Sequence, residues 1–231
     1  MALSELERWM KERAGDVGRA EAGEARREQM LRAALEVIVE RGYADTRIAD
    51  VAERTGTSPA LVIYYFKTRD QLLTEAIRFS EDTWYAENVR RMAAIPTAAG
   101  RLAELVAMIC LPGTDPEPRS WWLLWLDLWA LSPRNAGVAA VRQKSDERWR
   151  ETIRAIVLSG QEAGEFASVD VDDFAITLSA MFDGLAVQIA LEDPAVPPQR
   201  CYELAMRFAA GQLGFDWKPA SAAKRARKRG R

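Results

Sequence analysis

Apolar positions along this chain recur with the period of an α-helix. Between residues 24 and 41 they fall three and four residues apart, and Gly42 follows them; the residues are Met30, Leu31, Ala34, Leu35 and Ile38. Side chains at this spacing share one helix face, and glycine readily ends a helix. The pattern therefore predicts a helix from Glu24 to Arg41 that buries one face.

The rest of the chain shows the same period, interrupted by glycine and proline. Six further long segments are predicted as helices: Thr68 to about Pro96, Ala98–Leu111, Arg119–Leu131, Asn135–Ser159, Asp172–Leu191 and about Pro198 to Leu213. Together with the shorter helices described next, they predict an all-α protein.

Residues 46–73 combine a helix stop with an immediate restart. Thr46 is predicted to cap a short helix that Gly56 ends, and Ser58 to cap the next helix, with Pro59 at its first position. A small residue, Ala52, would lie where the two helices cross, with Ile48, Val51, Val62 and Phe66 facing inward. These features predict a helix-turn-helix motif, although an ordinary helical corner without a DNA role remains the alternative.

Polar groups gather where the second short helix ends. Tyr64, Tyr65, Lys67 and Arg69 form a suitable cluster for gripping phosphate oxygens. Thr68 and Gln71 have the spacing of a capping box for the following helix. This long helix would connect the predicted DNA-binding unit to the rest of the chain.

Residues 26–73 resemble the TetR family of bacterial transcriptional regulators. The matching residues are Ile48-Ala49, Gly56-Thr57-Ser58, Val62-Ile63-Tyr64-Tyr65-Phe66 and Lys67. The chain departs from the family pattern at Ile63 and Tyr65, and at the residues that open the second helix (Pro59, Ala60 and Leu61). The resemblance implies a dimeric repressor that a small-molecule effector releases from a palindromic double-stranded DNA operator, with a ligand-dependent activator as the nearest alternative.

The resemblance also implies roles for single residues. Thr57, Pro59, Ala60 and Leu61 would face the bases from the segment that Ser58 begins, and Thr46, Tyr64, Tyr65, Lys67 and Arg69 would hold phosphates. Three of the four base-facing residues offer only apolar contact, for instance to thymine methyl groups. Discrimination would then depend also on DNA shape, backbone amides or Arg47.

Four tryptophans lie on one stripe of the predicted helix RSWWLLWLDLWAL: Trp121, Trp122, Trp125 and Trp129. The stripe is either core or one wall of a ligand site. Aromatic rings near a carboxylate favour a cationic or aromatic ligand, and Asp127 and Asp183 are the candidate carboxylates unless they pair with Arg150 or Arg154. The tryptophan spacing and the segment Asp183–Leu185 also resemble the TetR subgroup that includes the choline-pathway repressor.

Composition narrows the class of protein. The 231 residues contain no histidine and two cysteines, and no run of about 18 apolar residues occurs. Cys110 and Cys201 are predicted to be buried. Because histidine is absent and both cysteines are buried, we expect no metal site, no cofactor and no enzyme activity. Because no long apolar run occurs, we expect no membrane segment and a cytoplasmic protein. An all-helical enzyme built on Asp127 and Asp183, or a helical interaction module without specific DNA binding, remain the other candidate functions.

Charge and small residues complete the predicted organisation. The tail from Lys218 is basic, while residues 1–217 are net acidic. The last two predicted helices carry many alanines and glycines, which allow close packing in a homodimer. The predicted domains are a flexible arm (1–23), a helix-turn-helix domain (24–73), a ligand-binding and dimerisation domain (74–215) and a basic disordered tail (216–231).

Overall fold

The computed structural model describes residues 3–111 and 118–219, and the side chains of residues 21–111 and 121–219. The described residues form helices and connecting turns without a β-strand, which confirms the predicted all-α class. The helices are α1 (Leu3–Arg41), α2 (Ile48–Arg54), α3 (Pro59–Phe66), α4 (Arg69–Ala93), α5 (Ala98–Cys110), α6 (Pro118–Leu131), α7 (Ala136–Glu162), α8 (Val171–Ala190) and α9 (Pro198–Leu213).

The chain divides into two compact units between Asp82 and Thr83, within α4. The division lies later than the predicted boundary after residue 73 because the first turns of α4 belong to the first unit. Glu75 forms an ion pair with Arg27 of α1, and the Arg32 guanidinium lies 4.9 Å from the centre of the Phe79 ring. The predicted ranges 24–73 and 74–215 otherwise stay predictions.

The first helix begins earlier than the sequence pattern indicated. α1 starts at Leu3 instead of Glu24, so Gly15, Gly18 and Gly23 lie within it. Glycine costs about 1 kcal/mol relative to alanine in a helix interior, but glutamate, arginine and alanine in this segment favour helix. The flexibility of residues 1–23 stays a prediction, and the predicted disordered tail lies outside the described residues from Ala220 onward.

The second unit is built around α8, which packs against α6, α7 and α9, while α5 packs against α7 and α9. Leu102, Leu128, Ile153 and Phe182 are among its fully buried side chains. The Phe166 ring lies against Gly160 of α7 so closely that a β-carbon there would be 2.2 Å from the ring. The second unit therefore has its own apolar core.

Helix α8 is the one described helix that is long and apolar enough to cross a membrane by length and composition. Core helices of soluble proteins pass the same test, and Leu178, Phe182 and Ala186 are buried against neighbouring protein. The contacts of α8 are those of a core helix.

Candidate functional site

The turn between α2 and α3 has the geometry that the sequence predicted. Gly56 has φ +63°, the left-handed region that glycine enters without steric cost. The Thr57 amide donates to the Ala52 carbonyl at 2.9 Å, and Ser58 Oγ accepts from the Leu61 amide at 3.2 Å. The stop at Gly56 and the cap at Ser58 are therefore confirmed.

The inward faces of α2 and α3 meet as predicted. Val51, Ala52, Val62 and Phe66 are all at most 1% exposed, whereas Ile48 is half-buried. Because these side chains are buried, the opposite face of α3 is turned toward solvent. The two helices thus form a helix-turn-helix with one packed face and one free face.

The prediction that Thr46 caps α2 is wrong. Its side chain is 0% exposed, and its hydroxyl donates to the Gly42 carbonyl at the end of α1 at 2.8 Å. The N-cap of α2 is Arg47, whose amide donates to the Asp50 carboxylate at 2.9 Å. A buried Thr46 hydroxyl that is already bonded is also not placed to hold a phosphate.

Arg69 begins α4, and its side chain is bonded within the protein. Its guanidinium donates to the carbonyls of Tyr43, Ala44 and Thr46 in the connection between α1 and α2, with 2.6 Å for Thr46 and 2.9 Å for Ala44. It also pairs with Asp70 at 3.0 Å. These bonds use most of its donors, so the side chain holds the connection in place, and a phosphate contact by Arg69 stays only a prediction.

The other predicted DNA-contacting residues lie at the surface. Arg47, Ser58, Pro59, Ala60, Tyr64 and Lys67 are exposed, and Thr57, Leu61 and Tyr65 are half-buried. Tyr64 is 69% exposed, and Lys67 Nζ donates to the Tyr64 carbonyl at 2.8 Å. Contact of these residues with DNA stays a prediction.

Lys67 has an unusual backbone conformation. Its φ is +61° although it is not glycine, and its amide donates to the Ile63 carbonyl at 2.8 Å. Such conformations cost of order 1–3 kcal/mol and persist only where the surrounding structure imposes them. The conformation ends α3 sharply and leaves the lysine exposed at its carboxyl end.

One exposed residue of α3 was not among the predicted contacts. Ile63 is 45% exposed and lies beside Tyr64 on the free face, whereas the predicted Leu61 is partly covered. The helical period would have revealed it, because Ile63 follows Pro59 by four residues and Ala60 by three.

Ion pairs fasten α2 to α1. Arg54 bonds Glu40 at 2.6 Å and Glu36 at 3.2 Å, and Arg41 bonds Asp50 at 2.8 Å. The hydrogen bond from Arg54 lowers the pKa of Glu40, so this carboxylate stays ionised at neutral pH. The pairs are exposed, so each contributes to orientation more than to stability.

The four tryptophans of α6 form a continuous line of ring contacts. Trp125 lies 6.2 Å from both Trp121 and Trp129, and Trp122 stacks on Trp129 at 6.5 Å. Trp122 and Trp125 are each only 8% exposed, and Trp122 Nε1 donates to the Ile109 carbonyl at 3.1 Å. Trp122 and Trp125 therefore belong to the core, while Trp121 and Trp129 are half-buried.

The two candidate carboxylates have different surroundings. Asp127 is half-buried and engaged with a neighbouring group. Asp183 lies exposed on α8, and in the described part of the chain no hydrogen bond or ion pair holds it. Arg154, one predicted partner, pairs with Asp172 instead.

The pKa of Asp183 is raised to about 6. The first cause is that surrounding atoms displace water from the carboxylate, and the second is the negative charge of Asp146; Arg142 and Arg150 on α7 act in the opposite direction. The side chain is therefore exposed over part of its surface, while the atoms around the carboxylate reduce its hydration. Arg142 is itself paired with Asp146, whose pKa is also raised by burial.

A second aromatic group was missed by the sequence analysis. The rings of Trp84 and Trp149 lie 6.2 Å apart, and Trp149 lies 5.9 Å from Phe182, the residue before Asp183. Trp84 also contacts Tyr85 edge-on at 5.0 Å, and the Arg148 guanidinium lies 3.8 Å from the Tyr85 ring centre. We call Trp84, Tyr85, Trp149 and Phe182 the α4–α7–α8 aromatic group. Its members come from separate helices, so no local pattern could reveal it.

The two cysteines and the acidic side chains give no metal site in residues 3–111 and 118–219. Cys110 and Cys201 are free and buried as predicted, and burial raises the pKa of both thiols. They are inert packing residues in this setting.

A helix-turn-helix with a free, cation-bordered face, followed by a helical unit with aromatic groups and a poorly hydrated carboxylate, defines a DNA-binding regulator with a separate second domain. Comparison with known proteins supports the same class. Residues 30–76 match the model of bacterial regulatory proteins of the tetR family, and residues 98–214 match the model of the C-terminal part of BetI-type transcriptional repressors. The chain belongs to the TetR family of transcriptional regulators.

Individual relatives agree with this assignment. The regulator BetI of Escherichia coli (strain K12) is 26% identical over 196 residues, covering 83% of this chain and 95% of the relative. BetI of Paraburkholderia phymatum is 30% identical over 175 residues, covering 74% and 85%. The crystal structure of a regulator from Saccharomonospora viridis in complex with choline superposes with a TM-score of 0.74 at 31% identity, covering 83% of this chain and 98% of that one.

Proposed function

We propose that this TetR-family regulator is a dimeric repressor that leaves a palindromic operator when a small organic cation binds its second unit. The observation that carries the proposal is the free face of α3, exposed on a helix-turn-helix whose other face is packed at Val62 and Phe66. Two such motifs related by a twofold axis read two half-sites about one helical turn, or a multiple of it, apart. We expect the protein to act in the cytoplasm, where bacterial DNA is found.

The DNA contacts divide by chemistry. Lys67 and Tyr64 at the carboxyl end of α3 hold phosphates, together with Ser58 at the N-cap of α3 and Arg47 at the N-cap of α2. Pro59, Ala60 and Thr57 approach base edges. Lys67 is suited to this role because it is exposed and because its main chain is held by the bond to Ile63.

The effector class follows from the aromatic groups and Asp183. Indole faces attract cations, and a carboxylate that is accessible but poorly hydrated attracts a cation more strongly than one in bulk water. The complex of the Saccharomonospora viridis relative with choline supports a quaternary ammonium compound. We therefore propose an ammonium ligand of about the size of choline.

Of the two aromatic groups, we propose the α4–α7–α8 aromatic group as the ligand site. Trp84 and Trp149 are half-buried, so part of each side chain is accessible, and the Trp149 ring contacts Phe182, the residue before Asp183. Trp122 and Trp125 of the α6 line are buried, and the Trp122 N–H is already bonded. Trp121, Trp129 and Asp127 stay a predicted second location.

The release mechanism uses α4, which begins two residues after α3 ends and continues into the second unit. A ligand that favours one position of Trp84 on α4 would favour one position of the attached α3. A shift in operator affinity of about 5- to 150-fold, typical of allosteric coupling, would be enough to release the repressor.

The test combines footprinting with single substitutions. Purified protein is bound to its own upstream DNA at near-physiological salt, and a protected palindrome is expected. Lys67→Ala is expected to weaken binding to all sequences and to reduce the salt slope by about 1, whereas Lys144→Ala, an exposed lysine of α7, leaves both unchanged. Choline added to the complex is expected to release the DNA.

Other functions predict different results. A ligand-dependent activator would bind more tightly when choline is added, and a helical interaction module would lose nothing on Lys67→Ala or Tyr64→Phe. An enzyme based on Asp127 and Asp183 would turn over a substrate without DNA. A footprint that is absent, or one erased by modest salt, would refute the repressor.

A further inference from the structure

We propose that α3 reads its operator mainly through thymine methyl groups, and that Ile63 is the residue that makes the decisive contact. The proposal rests on the proposed DNA-binding function and adds the chemistry by which bases are distinguished. It is carried by the composition and exposure of a single helix face.

The free face of α3 is apolar except for the Tyr64 hydroxyl. At 100° per residue, Pro59, Ala60, Ile63 and Tyr64 fall within an arc of about 140°, and all four are exposed. The rest of the helix circumference holds the half-buried Leu61 and Tyr65 and the buried Val62 and Phe66. The face is thus a defined surface and not a set of scattered apolar residues.

The exposure of Ile63 is unusual within the first unit. In residues 21–82 the exposed large apolar side chains are Val39, Ile63 and Tyr64, at 37%, 45% and 69%. Two of the three are neighbours on α3. Water covers this apolar surface in the free protein. Burying the surface against a complementary partner is therefore favourable.

Few polar groups on this helix are available to read base edges. Helix α3 carries no charged side chain and no amide side chain. Ser58 Oγ accepts the Leu61 amide, and Thr57 Oγ1 shares a hydrogen bond with Thr55 Oγ1 at 2.9 Å. Lys67 lies beyond the helix end, with its Nζ at the Tyr64 carbonyl and 5.2 Å from the Tyr64 ring centre.

The major groove offers one apolar feature that identifies a base pair, the C5 methyl group of thymine. An isoleucine side chain fits such a methyl by shape and burial alone. Arg47 at the start of α2 and Lys67 after the end of α3 are exposed cations, a chemistry that suits contact with the phosphates flanking the groove. The occupant of the apolar face is therefore a thymine-containing major groove.

The test begins with the full-length protein and random-sequence DNA, from which a preferred site is selected and its affinity measured at fixed salt. Each thymine in a half-site is then replaced singly by deoxyuridine, which removes only the methyl group. At the contacted position the dissociation constant is expected to rise about three- to fivefold, the effect of one buried methyl group.

A second replacement separates the methyl group from the base pair. Changing the contacted T·A pair to C·G is expected to weaken binding, and 5-methylcytosine at the same position is expected to recover part of the loss. Unchanged affinity on adding the cytosine methyl group would contradict the proposal.

Ile63→Ala identifies the protein partner. In this variant the deoxyuridine replacement is expected to change affinity less than 1.5-fold, since the methyl group has lost its partner. Val39→Ala on α1 is the matched control, because it removes apolar carbon from a similarly exposed site and is expected to keep the full uracil effect. Alanine favours helix, so α3 is retained.

The outcomes distinguish this inference from the function beneath it. A selected site whose uracil form binds the wild-type protein within 1.5-fold at every position would overturn methyl reading and leave the repressor intact. An equal uracil effect in wild type and Ile63→Ala would overturn the role of Ile63. If selection enriches no sequence at all, the proposed function fails, and this inference fails with it.

Discussion

The two aromatic groups of the second unit look alike in composition and differ in surroundings. The α6 line contains four tryptophans in one segment, and two of them, Trp122 and Trp125, are buried. The α4–α7–α8 aromatic group contains two tryptophans, both half-buried, and includes Phe182, the residue before Asp183, whose carboxyl pKa is raised to about 6. A cation needs an accessible ring face and an ionised partner, so the α4–α7–α8 aromatic group is the better candidate ligand site.

The number of tryptophans in an aromatic group is therefore a poor guide to a ligand site. A tryptophan whose N–H is bonded to a main-chain carbonyl, as Trp122 is to Ile109, contributes to stability. A tryptophan that contacts rings from other helices and keeps exposed area can serve a ligand. Three measurements test whether the two groups differ in this way.

The largest expected effect is on stability. Trp125→Ala removes a buried side chain and is expected to lower the free energy of unfolding by about 3–5 kcal/mol, whereas Trp149→Ala, at a half-buried site, is expected to lower it less. Chemical denaturation of both variants and the wild-type protein measures the difference. Equal losses would remove the distinction between the two groups.

The next effect is on ligand affinity. Trp149→Ala is expected to weaken choline binding about 10- to 30-fold, since a desolvated cation–π contact contributes up to about 2 kcal/mol. Trp129→Ala is the matched control on α6, half-buried like Trp149, and should change affinity less than about threefold. Calorimetric titration with choline gives both values, and the reverse order would place the ligand at α6.

Trp149→Phe sharpens this result. It keeps an aromatic face of lower cation affinity, so binding is expected to lie between wild type and Trp149→Ala. A loss as large as that of the alanine variant would indicate that packing against Phe182 is disturbed.

The smallest effect is on pH dependence. Asp183 is ionised above its pKa of about 6 and neutral below it, so choline affinity is expected to fall as pH drops through 6. If only the ionised form binds, affinity at pH 5.5 is about fourfold lower than at pH 7.5. Arg142, Asp146 and Arg150 also act on this site, and Asp146 has a raised pKa of its own.

Asp183→Asn is the control for the pH measurement. This variant should bind choline weakly at every pH, without the change in affinity centred near pH 6. Asp127→Asn should keep the pH dependence of choline affinity. Ligand-free stability has the opposite trend, because a carboxyl group whose folded-state pKa is raised stabilises the fold when protonated and loses that contribution as pH rises through about 6.

Local patterns predicted most of the fold. Gly42, Gly56 and Ser58 end or begin helices as their chemistry requires, and α9 has its predicted bounds. The role of Thr46 was predicted wrongly because its hydroxyl bonds a main-chain carbonyl that only the folded connection brings near. The main-chain partners of Arg69 were not predicted for the same reason. The spacing of residues in the sequence does not show which main-chain carbonyl a side chain will contact in the fold.

The candidate sites were predicted to different extents. The exposed residues of the helix-turn-helix are contiguous in sequence, so their spacing indicated them, although Ile63 was assigned only to the family pattern. Their contact with DNA stays a prediction. The α4–α7–α8 aromatic group joins residues 84, 149 and 182, whose separation in sequence hides their contact. Asp183 was proposed for its charge, and its neighbour Asp146 became visible only in the fold.

The two sides of α3 also bear on how such a regulator can diversify. Val62 and Phe66 hold the motif together, whereas Pro59, Ala60 and Ile63 point away from it and contribute little to its core. Substitutions on the outer side can therefore accumulate at small cost in stability. Duplicated copies of the gene could acquire new target sites through this one helix face while inheriting the same scaffold.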